Sequence, residues 1–272
     1  MRFRRKLSGP IGRALLLVGA FLSIPWASAH CFDKIVVLYA PASDIVKLLG
    51  SKSRVVGVTR TDRNFEKAVK VGSHLRPNIE LIRALEPDLI ITGSERAFPA
   101  SLQREFKAAF HRFDPLRLED VLRSVEELGK LLDAGETAGT IVARLTEKLL
   151  EIRKLERVPT VVYEISERPL RVAGSSSIMT SIIEAAGGRN LIPTHKKHVP
   201  VSAEKIIDLK PEYYIYQKGP MNKNPEHPQN RSYFRPLQSR VVSVDQYLFS
   251  RPGINAFEAA VQLNRIFWQE EQ

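Results

Sequence analysis

The sequence contains a single cysteine among its 272 residues, with three methionines and two tryptophans. One thiol cannot form an internal disulfide even in an oxidising compartment, so stability must come from packing. No histidine or cysteine cluster has transition-metal spacing, which argues against a carrier for a bare zinc or manganese ion. The signatures of an exported α/β enzyme are missing too. Gly174-Ser175-Ser176-Ser177 lacks the closing glycine of G-x-S-x-G, and no G-x-x-x-x-G-K-[ST] occurs. Gly187-Gly188 suits a helix end better than a phosphate cradle. No catalytic residue and no intrinsic cofactor are therefore assigned. Nor are Lys and Arg interleaved with aromatics in the manner of nucleic-acid binding.

Long apolar runs are equally scarce. One runs from Ala14 to Trp26, too short for the roughly 20 residues that cross a bilayer. Arg2, Arg4, Arg5 and Lys6 precede it and Ala27-Ser28-Ala29 follows, the order of a secretory signal. Export to the periplasm with cleavage after Ala29 is expected. Acylation of Cys31 is the alternative, with His30 in the place where a small residue belongs. Without the leader, 36 basic residues face 30 acidic ones, a formal charge of +6.

What is present is an alternation of strand and helix. Lys34 to Leu38, Val55 to Thr59 and Leu89 to Thr92 read as buried strands, and a second series covers Thr160 to Glu164, Tyr213 to Tyr216 and Arg240 to Val244. Between the series, Ile141, Leu145, Leu149 and Ile152 share one face of a proline-free stretch from Gly135 to Leu155, which predicts a helix about 30 Å long. The expected fold is α/β, two Rossmann-like lobes joined by a single long helix with a ligand cleft between them. The predicted divisions are a leader over 1–29, an N-terminal lobe over 30–133, the connecting helix over 134–157 and a C-terminal lobe over 158–272.

A repeat supports two lobes on one plan. Asn78-Ile79-Glu80 through Pro87-Asp88-Leu89-Ile90-Ile91 is echoed by Ser202-Ala203-Glu204 through Pro211-Glu212-Tyr213-Tyr214-Ile215, with glutamate and proline seven residues apart in both. Each copy predicts a capped helix with a first-turn carboxylate, ended by proline before a strand. Glu80 and Glu204 need no role beyond the helix dipole. Together they also place one carboxylate on each lobe, a spacing suited to a two-fold symmetric partner carrying arginines.

The chain from about residue 32 to 268 resembles the helical-backbone substrate-binding proteins of ABC importers for ferric siderophores, haem and cobalamin. The resemblance rests on Ala40-Pro41-Ala42-Ser43-Asp44-Ile45, Val71-Gly72 with Pro77-Asn78-Ile79-Glu80, Leu85-Glu86-Pro87-Asp88-Leu89, Val172-Ala173-Gly174, Ala186-Gly187-Gly188-Arg189-Asn190 and Ser250-Arg251-Pro252-Gly253. It implies a monomer that carries an iron chelate or corrinoid in the interlobe cleft and docks Glu80 and Glu204 on arginines of an inner-membrane permease dimer. It also implies small closure. Haem-binding members commonly place a tyrosine right after the Val-Gly pair; this chain has Ser73, then His74. Haem therefore falls behind other chelates, with an oxyanion or metal ligand as a further alternative, and a sensor or enzyme on the same fold as a rival of another class.

Open α/β sheets bind ligands beyond the carboxyl ends of their strands. That rule nominates Ser43, Ser73, His74, Arg76, Arg96, Glu164, Arg168, Tyr216, Lys218, Met221 and Arg251 as cleft residues. The cations suit chelate oxygens or carboxylates, and Tyr216 and Met221 suit a flat macrocycle. Gly219 to Pro236 reads as a long loop at the cleft mouth or at a partner surface, or as a disordered stretch.

Overall fold

The computed structural model describes residues 32–93 and 95–269. The expected leader, its cleavage point at Ala29, Cys31 and Ser94 lie outside the described residues. In the N-terminal lobe the chain runs β1 (Ile35–Val37), α1 (Ala40–Leu48), β2 (Val55–Val58), β3 (Val69–Lys70), α2 (Ile79–Ala84), β4 (Leu89–Thr92), α3 (Ala100–Gln103) and β5 (Ala109–Arg112). The strands form one parallel sheet in the order β3-β2-β1-β4-β5. Every residue of β1 and β4 is buried, as in central parallel strands covered on both faces, which is why both read as unbroken apolar runs. The order of connection reverses between β1 and β4, and that switch point opens a crevice at their carboxyl ends.

The chain then crosses between lobes. Helix α4 (Leu118–Leu131) is followed after a short turn by α5 (Gly135–Leu149), and the two pack as a hairpin. Leu118 and Val121 join the core of the second lobe, whereas Val125, Leu128 and Leu132 join that of the first. In α5 the order is opposite: Ala138 sits in the first core and Leu145 in the second. The crossing helix is thus doubled by its predecessor. It ends at Leu149 rather than Leu155 because the buried Asn264 side chain accepts from the Arg153 amide and donates to the Arg153 carbonyl, both at 2.9 Å, drawing the chain out of the helical ladder.

The second lobe comprises β6 (Thr160–Ser166), β7 (Arg171–Ala173), α6 (Ile178–Ala185), β8 (Arg189–Asn190), β9 (His198–Pro200), α7 (Ala203–Leu209), β10 (Tyr213–Lys218), β11 (Arg240–Asp245), α8 (Gln246–Phe249) and α9 (Asn255–Gln269). Its sheet is mixed, in the order β11-β10-β6-β7-β9, with β8 beside the start of β6. The first three strands are parallel, and β7 and β9 run antiparallel to their neighbours. The sequence repeat is a structural one. Asn78 caps α2 by accepting from the Leu81 amide, and Ser202 caps α7 by accepting from the Lys205 amide. Both helices give way to a left-handed residue just before the proline, Glu86 at φ 48° and Lys210 at φ 47°.

Candidate functional site

The carboxyl ends of the two sheets meet across the junction. Arg251, beyond α8, donates to Asp44 of α1 at 2.9 Å, and Lys197, before β9, reaches Asp114, just beyond β5, at 2.5 Å. Both ion pairs join one lobe to the other. Gly253 lies against Pro41 in the same place, where a Cβ would stand 3.2 Å from the proline. Tyr39, at the end of β1, packs flat on Gly93 at the end of β4 and lies 6.2 Å from Phe113 and 6.0 Å from His74, ring to ring. Burial first, then the Asp114 carboxylate, pushes the Tyr39 hydroxyl up to about 12, with Arg251 pulling the other way. Tyr39 therefore stays a neutral hydrogen-bonding group. Partial burial lowers the His74 pKa, which favours the neutral imidazole.

Most of the other expected residues stand exposed on loops and turns of the two lobes. Ser73 closes the 73–76 turn by accepting from the Arg76 amide at 3.0 Å, which holds His74 and Arg76 out on the surface. Arg96 is exposed in the loop after β4. On the facing lobe, Lys218 ends β10 with its ammonium 5.5 Å from the Tyr216 ring, and Met221 is exposed on a turn whose Met221 amide donates to the buried Gln246 side chain. Arg168 is exposed beside Glu167, to which it donates at 2.8 Å. A cavity of about 450 Å³ opens beside Lys218, lined also by Gly219, Lys223, Asn224 and Pro225.

Three nominated residues do not face the cleft. Ser43 is fully buried inside α1, its hydroxyl accepting from Asn64 at 3.3 Å. Tyr216 is buried on the other face of β10, in the cluster around Phe234, with His227 edge-on at 5.8 Å. Glu164 is fully buried and its oxygens are occupied: Arg231 donates to both, at 2.5 and 3.0 Å, Tyr214 at 2.5 Å and Asn222 at 3.1 Å. Glu164 thus anchors the 219–236 loop instead of touching a ligand. That loop is not a disordered stretch; it carries two 3₁₀ turns, Pro228–Asn230 and Ser232–Phe234.

Sequence reasoning missed Tyr39, Asp44, Asp114 and Lys197. Tyr39 and Asp44 were legible from their place beside Ala40-Pro41, directly after a strand. Asp114 was hidden because β5, Ala109-Phe110-His111-Arg112, carries too many polar side chains to read as a strand. Glu80 and Glu204 occupy matching first-turn positions on α2 and α7, both exposed. Glu80 accepts from Arg83 at 2.9 Å, and Glu204 is held below the ordinary carboxylate range by its own backbone amide and the Ser202 hydroxyl. No helix among the described residues is long and apolar enough to cross a membrane, and no cluster of His, Cys, Asp and Glu among them is arranged to hold a metal ion.

Residues 35–268 match the periplasmic binding protein family. An ABC transporter substrate-binding lipoprotein of Bacillus subtilis is 25% identical over 246 residues, covering 85% of this chain and 78% of its own. Among solved structures, the periplasmic vitamin B12 binding protein of Vibrio cholerae superposes with a TM-score of 0.74 at 18% identity, over 89% of this chain and 98% of that one. The periplasmic haem-binding protein of the same organism gives 0.74 at 18%, over 86% and 98%.

Proposed function

Because the chain belongs to the periplasmic binding protein family, we propose that it is exported through its leader and carries an iron chelate or cobalamin to an inner-membrane ABC permease. The observation behind this reading is the junction itself. Two sheets present their carboxyl ends to each other where Asp44 pairs with Arg251, and a second pair, Asp114–Lys197, also bridges the lobes. A crevice assembled from two lobes holds a solute by closing on it and surrenders it by opening. The helical hairpin of α4 and α5 stiffens that junction, so closure is small.

Glu80 and Glu204 are the permease contacts in this reading, one exposed carboxylate per lobe at equivalent helix positions. The monomer then meets a permease dimer with both lobes at once, each carboxylate engaging an arginine. The test is charge reversal, Glu80→Lys with Glu204→Lys, in cells taking up radiolabelled ferric chelates or cobalamin. Uptake is expected to fall at least roughly tenfold while ligand affinity of the purified variant is unchanged, since the contacts lie outside the cleft. Uptake at the unmodified level overturns the docking assignment. His74 favours haem as a second cargo, because its neutral imidazole beside Tyr39 offers a lone pair to iron. A carrier has no chemistry to perform, so turnover of a bound chelate would argue for the enzyme rival.

A further inference from the structure

We propose that Asp44–Arg251 and Asp114–Lys197 form a two-point latch that fixes the separation of the lobes before any ligand binds. The inference goes beyond the carrier reading and does not depend on the cargo. Both pairs are made by the protein's own side chains, the first lobe supplying the carboxylate and the second the cation. Each carboxylate divides its oxygens in the same way. Asp44 accepts from the Asn64 side chain of its own lobe at one oxygen, at 2.6 Å, and from Arg251 at the other, at 2.9 Å. Asp114 accepts from Arg112 of its own lobe at one oxygen, at 3.3 Å, and from Lys197 at the other, at 2.5 Å. Neighbours within the first lobe therefore hold both carboxylates in place whether or not the second lobe is engaged.

The cations stand on backbone that is tied down as well. Ser250, immediately before Arg251, donates its hydroxyl to the buried Gln217 side chain, which also accepts from the buried Tyr163 hydroxyl at 3.1 Å. The Lys197 carbonyl accepts from the amide of Gly174, just beyond β7, at 3.2 Å. Tyr39 lies within electrostatic reach of Asp114 and Arg251, one member of each pair. A surface ion pair achieves little when two flexible side chains must be held still for it alone. Here the bonds inside each lobe do that holding, and Asp44, Arg251 and Asp114 are mostly covered from solvent. With two such points added to the α4–α5 hairpin, the lobes keep one arrangement without help from a ligand. A binding protein set in this way has less to reorganise when its ligand arrives.

Pulsed electron resonance on the mature chain without ligand measures the separation, with Cys31 replaced by serine and spin labels on Ala84→Cys and Asp208→Cys, exposed positions of α2 and α7 that match in the repeat. The otherwise unaltered protein is expected to give one narrow distance. Asp44→Lys with Asp114→Lys sets like charges across both points and is expected to raise the fraction of molecules outside that distance at least roughly fivefold. Adding Arg251→Asp and Lys197→Asp re-forms both pairs with their signs exchanged and is expected to bring the narrow distance back. If far-ultraviolet dichroism shows that reversal disturbs the fold, Asp44→Asn with Asp114→Asn, which keeps the side-chain shapes, is read against the same criterion. An unchanged distribution in the variant without the pairs, or no return when the charges are exchanged, overturns the latch.

Discussion

Glu164 and Arg231 form an ion pair with no solvent exposure on either side chain, in a lobe otherwise held by apolar packing. Burial of two charges is repaid only when every oxygen and proton has a partner, and here Tyr214, Asn222 and the Glu226 carbonyl complete the set. Arg231→Met should therefore cost about 3–5 kcal/mol in urea denaturation, because it strands a buried carboxylate. Adding Glu164→Met should restore much of that loss. A single-variant cost under about 1 kcal/mol would mean the pair is wetter than the geometry implies. Glu164 also shows where sequence reading stops. A carboxylate at the end of a strand fits a cleft residue and an anchor equally well, and the arginine that decides between them lies 67 positions further along the chain. Tyr216 was misread for a related reason, since strand alternation gives two faces without saying which one meets the core.

At the scale of elements, the hairpin of α4 and α5 depends on a close approach at Gly129. A Cβ there would lie 2.3 Å from that of Ala138, which has no flexibility with which to yield. Gly129→Ala should destabilise by about 1–3 kcal/mol through overpacking. Gly139, one residue further along α5, meets nothing within 4 Å, so Gly139→Ala should be neutral or stabilising by up to about 1 kcal/mol from helix propensity alone. Thermal denaturation of the two variants tests the packing directly, and equal effects would refute it. The hydrophobic spacing of α5 was legible in the sequence. Its endpoint was not, because the residue that stops it, Asn264, belongs to α9. Short strands such as β3, β7 and β9 were equally illegible, since two or three residues carry no periodicity and form only where a neighbour offers hydrogen bonds.

For the whole molecule, the fold class was legible because parallel strands buried on both faces are written as apolar runs, and the repeat announced the two lobes. The acid response follows from groups that sequence cannot rank. His111 is lowered by burial, against the pull of Glu127, and its Nε2 is buried without a partner. His198 is lowered by burial and by the nearby Arg171 and Lys197. The unfolded chain, with histidines near 6.5, takes up protons that the folded chain refuses, so stability is lost as pH falls through that value. The depressed carboxyls of Glu204 and Glu258 act in the same direction at lower pH. Calorimetry should find Tm lower at about pH 5.5 than at about pH 7.5. A flat or rising Tm would contradict the burial of both histidines.

The doubled crossing has one more consequence. Since α4 starts in the core of the second lobe and ends in that of the first, and α5 retraces the route, no cut between Phe113 and Leu150 leaves both fragments with an intact interior. The second lobe is not excisable by itself. The dependence runs one way: the buried core of the first lobe is complete once residue 138 has been made, whereas that of the second borrows Leu118, Val121 and Leu145 from the segment before it.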